Sequence, residues 1–423
     1  MTRNTQDQKH PKMEKKMEKS RVLSRTCLVA TLSLVFSAMT TPVLADPTGK
    51  WTTGAPIPVA VEGYGAAQVG NIHYYMGGFS AGDTMLNQRY DKSTDTWLTN
   101  GAPIPGPSRG ETAAVATGGF VYLVGGRCPL ACNLLQRYDP ASDTWTTLSP
   151  LPVPVDSEHV VAVHDGKIYV AGGRTVTVPI GFGAVAVLQI YDIASDTWSM
   201  GAPLPTPLGL ADSAAIAHGS RIYVFGGGFA GTGLPTTLIY DIPSDSWSFG
   251  TPMPTARADA SVGGCGNKLH VIGGAVTVGV FVAAHEVYNP VTDTWSVATP
   301  IPGGATGAGT EVQAVSQGGR IYIVGGGIFG SGGANPVQNI WKCADPVKGT
   351  VTSNGQPSPD TTVQLFNAVT QELAGTSTTD ETGFFLFDVD PGVYLLTVTT
   401  ATGTSTVIIT VLPGIDLVQD LAT

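Results

Sequence analysis

The sequence is short of charge, and shortest of positive charge once its first 45 residues are set aside. Only 13% of its 423 residues are Asp, Glu, Lys or Arg. Eight of the 22 basic and three of the 32 acidic residues fall within residues 1–45, leaving 14 against 29, a net charge of −15. So acidic a chain repels phosphate backbones, which excludes nucleic acid as a partner. Long hydrophobic runs are missing too. The one candidate, Cys27 to Met39, is short and broken by Thr and Ser. It follows the basic stretch Arg3 to Arg25 and precedes Val43-Leu44-Ala45, where small residues suit a signal peptidase. The segment therefore reads as a signal peptide over residues 1–45, with secretion or a periplasmic location expected and no stable membrane insertion after cleavage.

Cysteine is scarce, five in all, and four of them follow residue 45. Cys128 and Cys132 stand four apart in Arg127-Cys-Pro-Leu-Ala-Cys132 and are expected to form a local disulfide, since a zinc site would need two more ligands than the neighbourhood offers. Cys265 and Cys343 cannot be paired from the sequence. What the chain has in abundance is Gly, at 54 residues, and Pro, at 30, which suits many short strands joined by tight turns.

A repeat organises these residues. Trp51, Trp97, Trp145, Trp198, Trp247 and Trp295 are spaced by 46, 48, 53, 49 and 48 residues. Glycine doublets recur between them, at Gly77, Gly125, Gly172, Gly226, Gly273 and Gly325, each with an aromatic ring three residues earlier (Tyr74, Tyr122, Tyr169, Tyr223, His270, Tyr322). Tyr90, Tyr138, Tyr191, Tyr240 and Tyr288 stand seven before five of the tryptophans. Each unit divides into four short strands, the last hairpin being a run such as Asp139-Pro-Ala-Ser-Asp143-Thr-Trp145, followed by a paired-proline segment that ends ladder pairing.

A unit of this length and order resembles the kelch repeat, whose units are the blades of a β-propeller. The resemblance runs from Trp51 to about Asp345 and implies an all-β fold with six blades over residues 46–345. The last unit has no Asp-x-Trp hairpin, and Trp341 takes its Tyr position, so the Trp51 strand is expected to complete the last blade and seal the ring. A ring sealed in this way is expected to be a monomer.

From Val347 the pattern changes. Phe385, Phe387 and Val389 alternate, as do Tyr394, Leu396 and Val398, about a Pro391-Gly392 turn. Residues 346–423 resemble the carboxypeptidase regulatory-like, prealbumin-type β-sandwich, which implies an accessory module.

Two features face the end of the expected channel. Glu111, Glu158, Asp212, Asp259 and Glu311 stand fourteen residues before their doublets, and Glu62 one position further back in the first unit. Such a ring either accepts backbone hydrogen bonds, with Arg109 and Arg257 as further partners, or holds a ligand, Ca²⁺ being the one candidate cofactor. The first use is the one expected, since a position repeated in every blade usually serves the blade. The loops after the doublets carry Phe79, Phe182, Phe229, Phe281 and Phe329, which suits a protein or glycan platform. Kelch propellers also include galactose oxidase-like copper enzymes and sialic acid mutarotase-like enzymes. His73, His159, His164, His218, His270 and His285 are too scattered for the copper set, whereas a mutarotase would need only an acid and a base, which the ring and Arg109 or Arg257 could supply. An exported binding and interaction protein is the favoured reading, with no cofactor required and a carbohydrate-active enzyme as the alternative.

Overall fold

The computed structural model describes residues 50–127, 133–155, 157–177, 181–206, 211–229, 232–302, 312–317, 319–326, 336–343, 346–389, 392–411 and 417–423. The expected signal segment over residues 1–45, Cys128, Cys132, Glu311 and Phe329 lie outside them. Among the described residues the chain is all β, without a helix.

Alternating small and bulky apolar residues give short antiparallel ladders, and each repeat forms one meander. The first runs Glu62–Val69, Ile72–Phe79, Asn87–Asp91 and Thr96–Trp97. The next four repeats pair in the same order, and the third and fourth sheets carry extra short strands, two of those in the fourth coming from the loop after the fifth doublet. The inner strands Glu62–Val69, Ala113–Thr117, Ser157–His164, Ala211–His218, Ser261–Cys265 and Val315–Ser316 touch one another in sequence order, and the last touches the first. Apolar side chains fill the gaps between neighbouring sheets. Val115, Val124, Ile168 and Val170 join the second to the third, for example, while Tyr64, Cys265, Ile321 and Trp341 share one cluster spanning the first, fifth and sixth.

The glycine doublets make the inner approach possible. Gly77 and Gly78 have φ of 75° and 90°, and a Cβ on either would fall 2.7 Å from the Arg109 carbonyl oxygen or 2.8 Å from that of Glu62. Only glycine tolerates both conditions.

A recurring grip binds each sheet to the chain segment arriving from the one before. In the second sheet, Asp143 accepts from the Tyr138 hydroxyl at 2.5 Å and from the Ala102 N–H at 2.7 Å, while the Trp145 indole N–H donates to the Ala102 carbonyl at 2.9 Å. The same three bonds recur at Ala55 with Asp95 and Trp97, at Ser149 with Asp196 and Trp198, at Ala202 with Asp245 and Trp247, and at Thr251 with Asp293 and Trp295. Both backbone groups of one residue in each proline segment are thereby satisfied, which a segment unable to join a ladder requires.

The N-terminal strand Lys50–Gly54 pairs with Gln338–Lys342, Trp51 opposite Trp341, in the sheet formed by the sixth repeat. Its Trp51 indole N–H reaches the Thr299 carbonyl at 2.9 Å, so the grip persists where the Asp hairpin is missing. Beside it Cys265 and Cys343, 78 residues apart, form a disulfide that ties the fifth inner strand to the exit of the sixth repeat. On the chain-entropy account a loop of this length is worth about 4 kcal/mol.

The segment from Pro346 forms two further sheets. Val347, Val351, Phe385 and Phe387 from one share a buried cluster with Val363, Leu365, Leu396 and Val398 from the other.

Trp51→Ala removes the closing indole bond and its ring contacts with Trp341 and His285. We expect a loss of about 3 kcal/mol in chemical denaturation. An unchanged midpoint would show that the N-terminal strand does not hold the circle shut.

Candidate functional site: the acidic mouth of the central cavity

The inner strands enclose a cavity of about 340 Å³. Small and branched residues, among them Val115, Val163, Ile216 and Val262, line its depth, while Glu111, Glu158, Asp212 and Asp259 line its mouth. All four carboxylates sit in the left-handed backbone region, with φ of 53°, 60°, 59° and 55°. In the first sheet the same position is Gly63, at φ 60°, and Glu62 lies one residue outside it. A left-handed Glu costs roughly 1 kcal/mol or more relative to Gly, so the first sheet holds the least strained version of a position that elsewhere keeps its carboxylate.

The partners of these carboxylates differ from the expectation. Among the described residues no backbone N–H donates to the side chain of Glu111, Glu158, Asp212 or Asp259. Guanidinium groups meet three of them, Glu111, Glu158 and Asp212, instead. Arg127 lies 2.7 Å from Asp83 and 3.3 Å from Glu111, and Arg174 lies 2.5 Å from Glu158 and 3.0 Å from Asp212. Arg109 and Arg257 are elsewhere, fully buried between sheet and incoming segment. Arg109 donates to the Gly125 carbonyl and to Gln136, and Arg257 to Glu286 and the Thr255 and Val271 carbonyls. A guanidinium at that depth needs these bonds, and Glu286 supplies the counter-charge for Arg257. The residues the sequence reading missed, Arg127 and Arg174, each follow a glycine doublet directly. That offset was legible, because it is where the second strand emerges beside the inner strand of its own sheet.

Burial raises the Glu158 carboxyl well above the usual range, and the adjacent Asp212 carboxylate, hydrogen-bonded to it, adds to the rise, against the pull of Arg174. Glu111 and Asp259 are likewise raised, first by burial. For Glu111, Arg127 works against burial, and nearby carboxylates push the same way as burial at both. Glu62 is raised by burial and lowered by Arg127. At neutral pH the mouth therefore offers a protonated carboxyl as donor, carboxylates as acceptors and two guanidiniums as donors. Among the described residues no group of three or more His, Cys, Asp or Glu side chains is placed to hold a metal ion.

The histidines lie apart from the mouth or are consumed in packing. His270 Nδ1 and His285 Nε2 are 2.8 Å apart beside Trp341, and His285 Nδ1 donates to the Thr299 carbonyl at 3.0 Å. His159 lines the cavity, but its Nε2 donates to the Val124 carbonyl at 3.1 Å and burial lowers its pKa to about 4. Of the loop aromatics, Phe79 lies under the Arg127 guanidinium at 5.3 Å, and Phe281 is half-buried in a short strand. The backbones of Phe182 and Phe229 pair in the extra strands of the third and fourth sheets, and their side chains lie outside the described residues.

Meanders with this repeat, arranged about a shared cavity, define a kelch-type β-propeller. Residues 73–331 match the family model described as the Attractin/LZTR1 beta-propeller, and the chain belongs to that family. It is 28% identical over 198 residues to Kelch-like protein terF of Aspergillus terreus, a match covering 43% of this chain and 41% of that protein. The chain thus spans less than half the length of that relative. The structure of YjhT superposes with a TM-score of 0.58 at 18% identity, over 67% of this chain and 95% of YjhT, a likeness of fold alone.

Because Glu158 holds its proton more tightly folded than unfolded, stability should fall as pH rises from its ordinary value of 4.5 towards the raised folded value. Glu158→Gln is expected to flatten that decline and to raise the melting temperature at pH 8 by roughly 1–3 °C. Identical pH profiles for the two proteins would show that Glu158 ionises freely in the fold.

Proposed function

We propose that this chain is an exported kelch propeller of six blades that binds a neutral polyhydroxylated ligand, a glycan, at the acidic mouth of its channel. The first 45 residues would be its signal peptide, residues 46–345 the propeller, and residues 346–423 a carboxypeptidase regulatory-like sandwich. The Cys265–Cys343 disulfide supports an oxidising compartment, whether secreted or periplasmic. Sealed sheet edges support a monomer, and the acidic surface speaks against nucleic acid.

The observation that carries the ligand assignment is the mixed lining of the mouth. Sugar hydroxyls both donate and accept, and here protonated Glu158, the Asp212 carboxylate and the guanidiniums of Arg127 and Arg174 sit above an apolar-walled cavity. A simple cation site would not place two guanidiniums between its carboxylates.

A carbohydrate-active enzyme on the same propeller is the second reading, favoured by the adjacent carboxyl groups of Glu158 and Asp212, of which burial raises Glu158 as a proton donor. Against it, a carboxyl that burial holds on the protonated side is better suited to standing hydrogen-bond donation than to releasing its proton in each turnover.

Glu111→Gly relieves a left-handed backbone and deletes a mouth carboxylate. The variant should melt within about 2 °C of the parent while its affinity for whichever glycan the parent selects on an array falls by about tenfold or more. A parent that binds nothing on a broad glycan array, or a variant that binds as well as the parent, overturns the assignment. Sugar turnover lost in Asp212→Asn would favour the enzyme.

A further inference from the structure

The two C-terminal sheets have a role that the acidic mouth does not explain. A second cavity, of about 920 Å³, lies at the opposite end of the inner strands. Its walls are the far-end residues Gln68, Asn71, Thr117 and Gln317 on one side and Lys348, Asp380 and Phe384 of the C-terminal sheets on the other. Val115, Val163, Ala314 and Ser316 line both this cavity and the acidic one. The two are chambers of one bore.

Among the described residues, the apolar and hydrogen-bond contacts that hold the C-terminal sheets over that bore gather at the fifth and sixth repeats. Leu386, 8% exposed, enters the cluster that contains Val315, Ile321, Cys265 and Cys343, and Phe384 packs against it. Asn267, 2% exposed, donates its amide N–H to the Ala374 carbonyl at 2.7 Å. The neighbouring Gly375 has no room for a side chain, since a Cβ there would lie 2.9 Å from the Asn267 amide nitrogen. The disulfide falls at the same place, Cys265 two residues before Asn267 and Cys343 three before the first C-terminal strand, Pro346–Ser353. A buried apolar plug, a part-buried hydrogen bond and a covalent tie thus converge on one edge of the bore. The opposite edge, by the first repeat, is the polar cleft, where the charge of Asp380 is felt at Lys92.

From this anchorage at the rim of the far chamber we infer that the C-terminal domain is a lid over the far end of the propeller channel. It leaves the bore open to bulky ligands at the acidic mouth alone, and admits only small solutes through the cleft beside Lys92. The inference stands apart from the glycan assignment, because it concerns access and not affinity.

Thiol labelling of the full chain tests it. Thr117→Cys places a thiol in the cleft, and its rate is read against the parent chain with N-ethylmaleimide and with a bulky polyethylene-glycol maleimide. In the otherwise native chain the small reagent should react and the bulky one should lag by about tenfold or more. Adding Leu386→Asp, which drives a charge into the plug, should erase that difference. Gly375→Val, which forces Asn267 away, should do the same in a milder way if the first variant fails to fold, as circular dichroism will report. Equal rates with both reagents in the native-lid protein overturn the lid. So does a size difference that persists in a folded undocked variant.

Discussion

Every sheet in the propeller depends on holding the end of its neighbour. The paired-proline segments cannot extend a ladder, so the N–H and carbonyl of the residue entering each blade must be satisfied by side chains. An Asp carboxylate and a Trp indole meet that need five times, and Trp51 supplies the indole bond at the sixth place. The Tyr hydroxyl fixes the Asp, and the Asp holds a left-handed turn, as at Asp95 and Asp143. A local hairpin signal thus becomes a contact between blades.

Inside that grip neighbouring inner strands touch, and the meeting gives the site its character. The doublet glycines bring neighbouring backbones close enough for left-handed carboxylates to converge on one mouth, while the residue after two of the doublets places a guanidinium among them. Burial then keeps Glu158 protonated beside Asp212. The buried Arg109 and Arg257 belong to the framework, since each is spent on a sheet and its incoming segment.

The C-terminal sheets extend the same economy of edges. Their anchorage gathers where the circle closes, at Trp341, Cys343 and the fifth inner strand, so closure and lid share one apolar cluster through Leu386. The closing strand's Trp51 packs against that same cluster.

The kelch repeat, the pairing of the Trp51 strand with the third strand of the last repeat and the alternating strands after Val347 were legible in the sequence, because spacing and alternation are local properties of a chain built from repeats. The mouth carboxylates were legible as a position but not as a chemistry. Their partners come from residues sixteen to thirty-eight positions away in the chain, and for Glu158 and Asp212 one guanidinium joins two sheets. The Cys265–Cys343 bond, the burial of Arg109 and Arg257 and the second chamber belong wholly to the tertiary structure. Each arises where segments far apart in sequence are brought together by a closed ring, and no local pattern encodes which of them will meet.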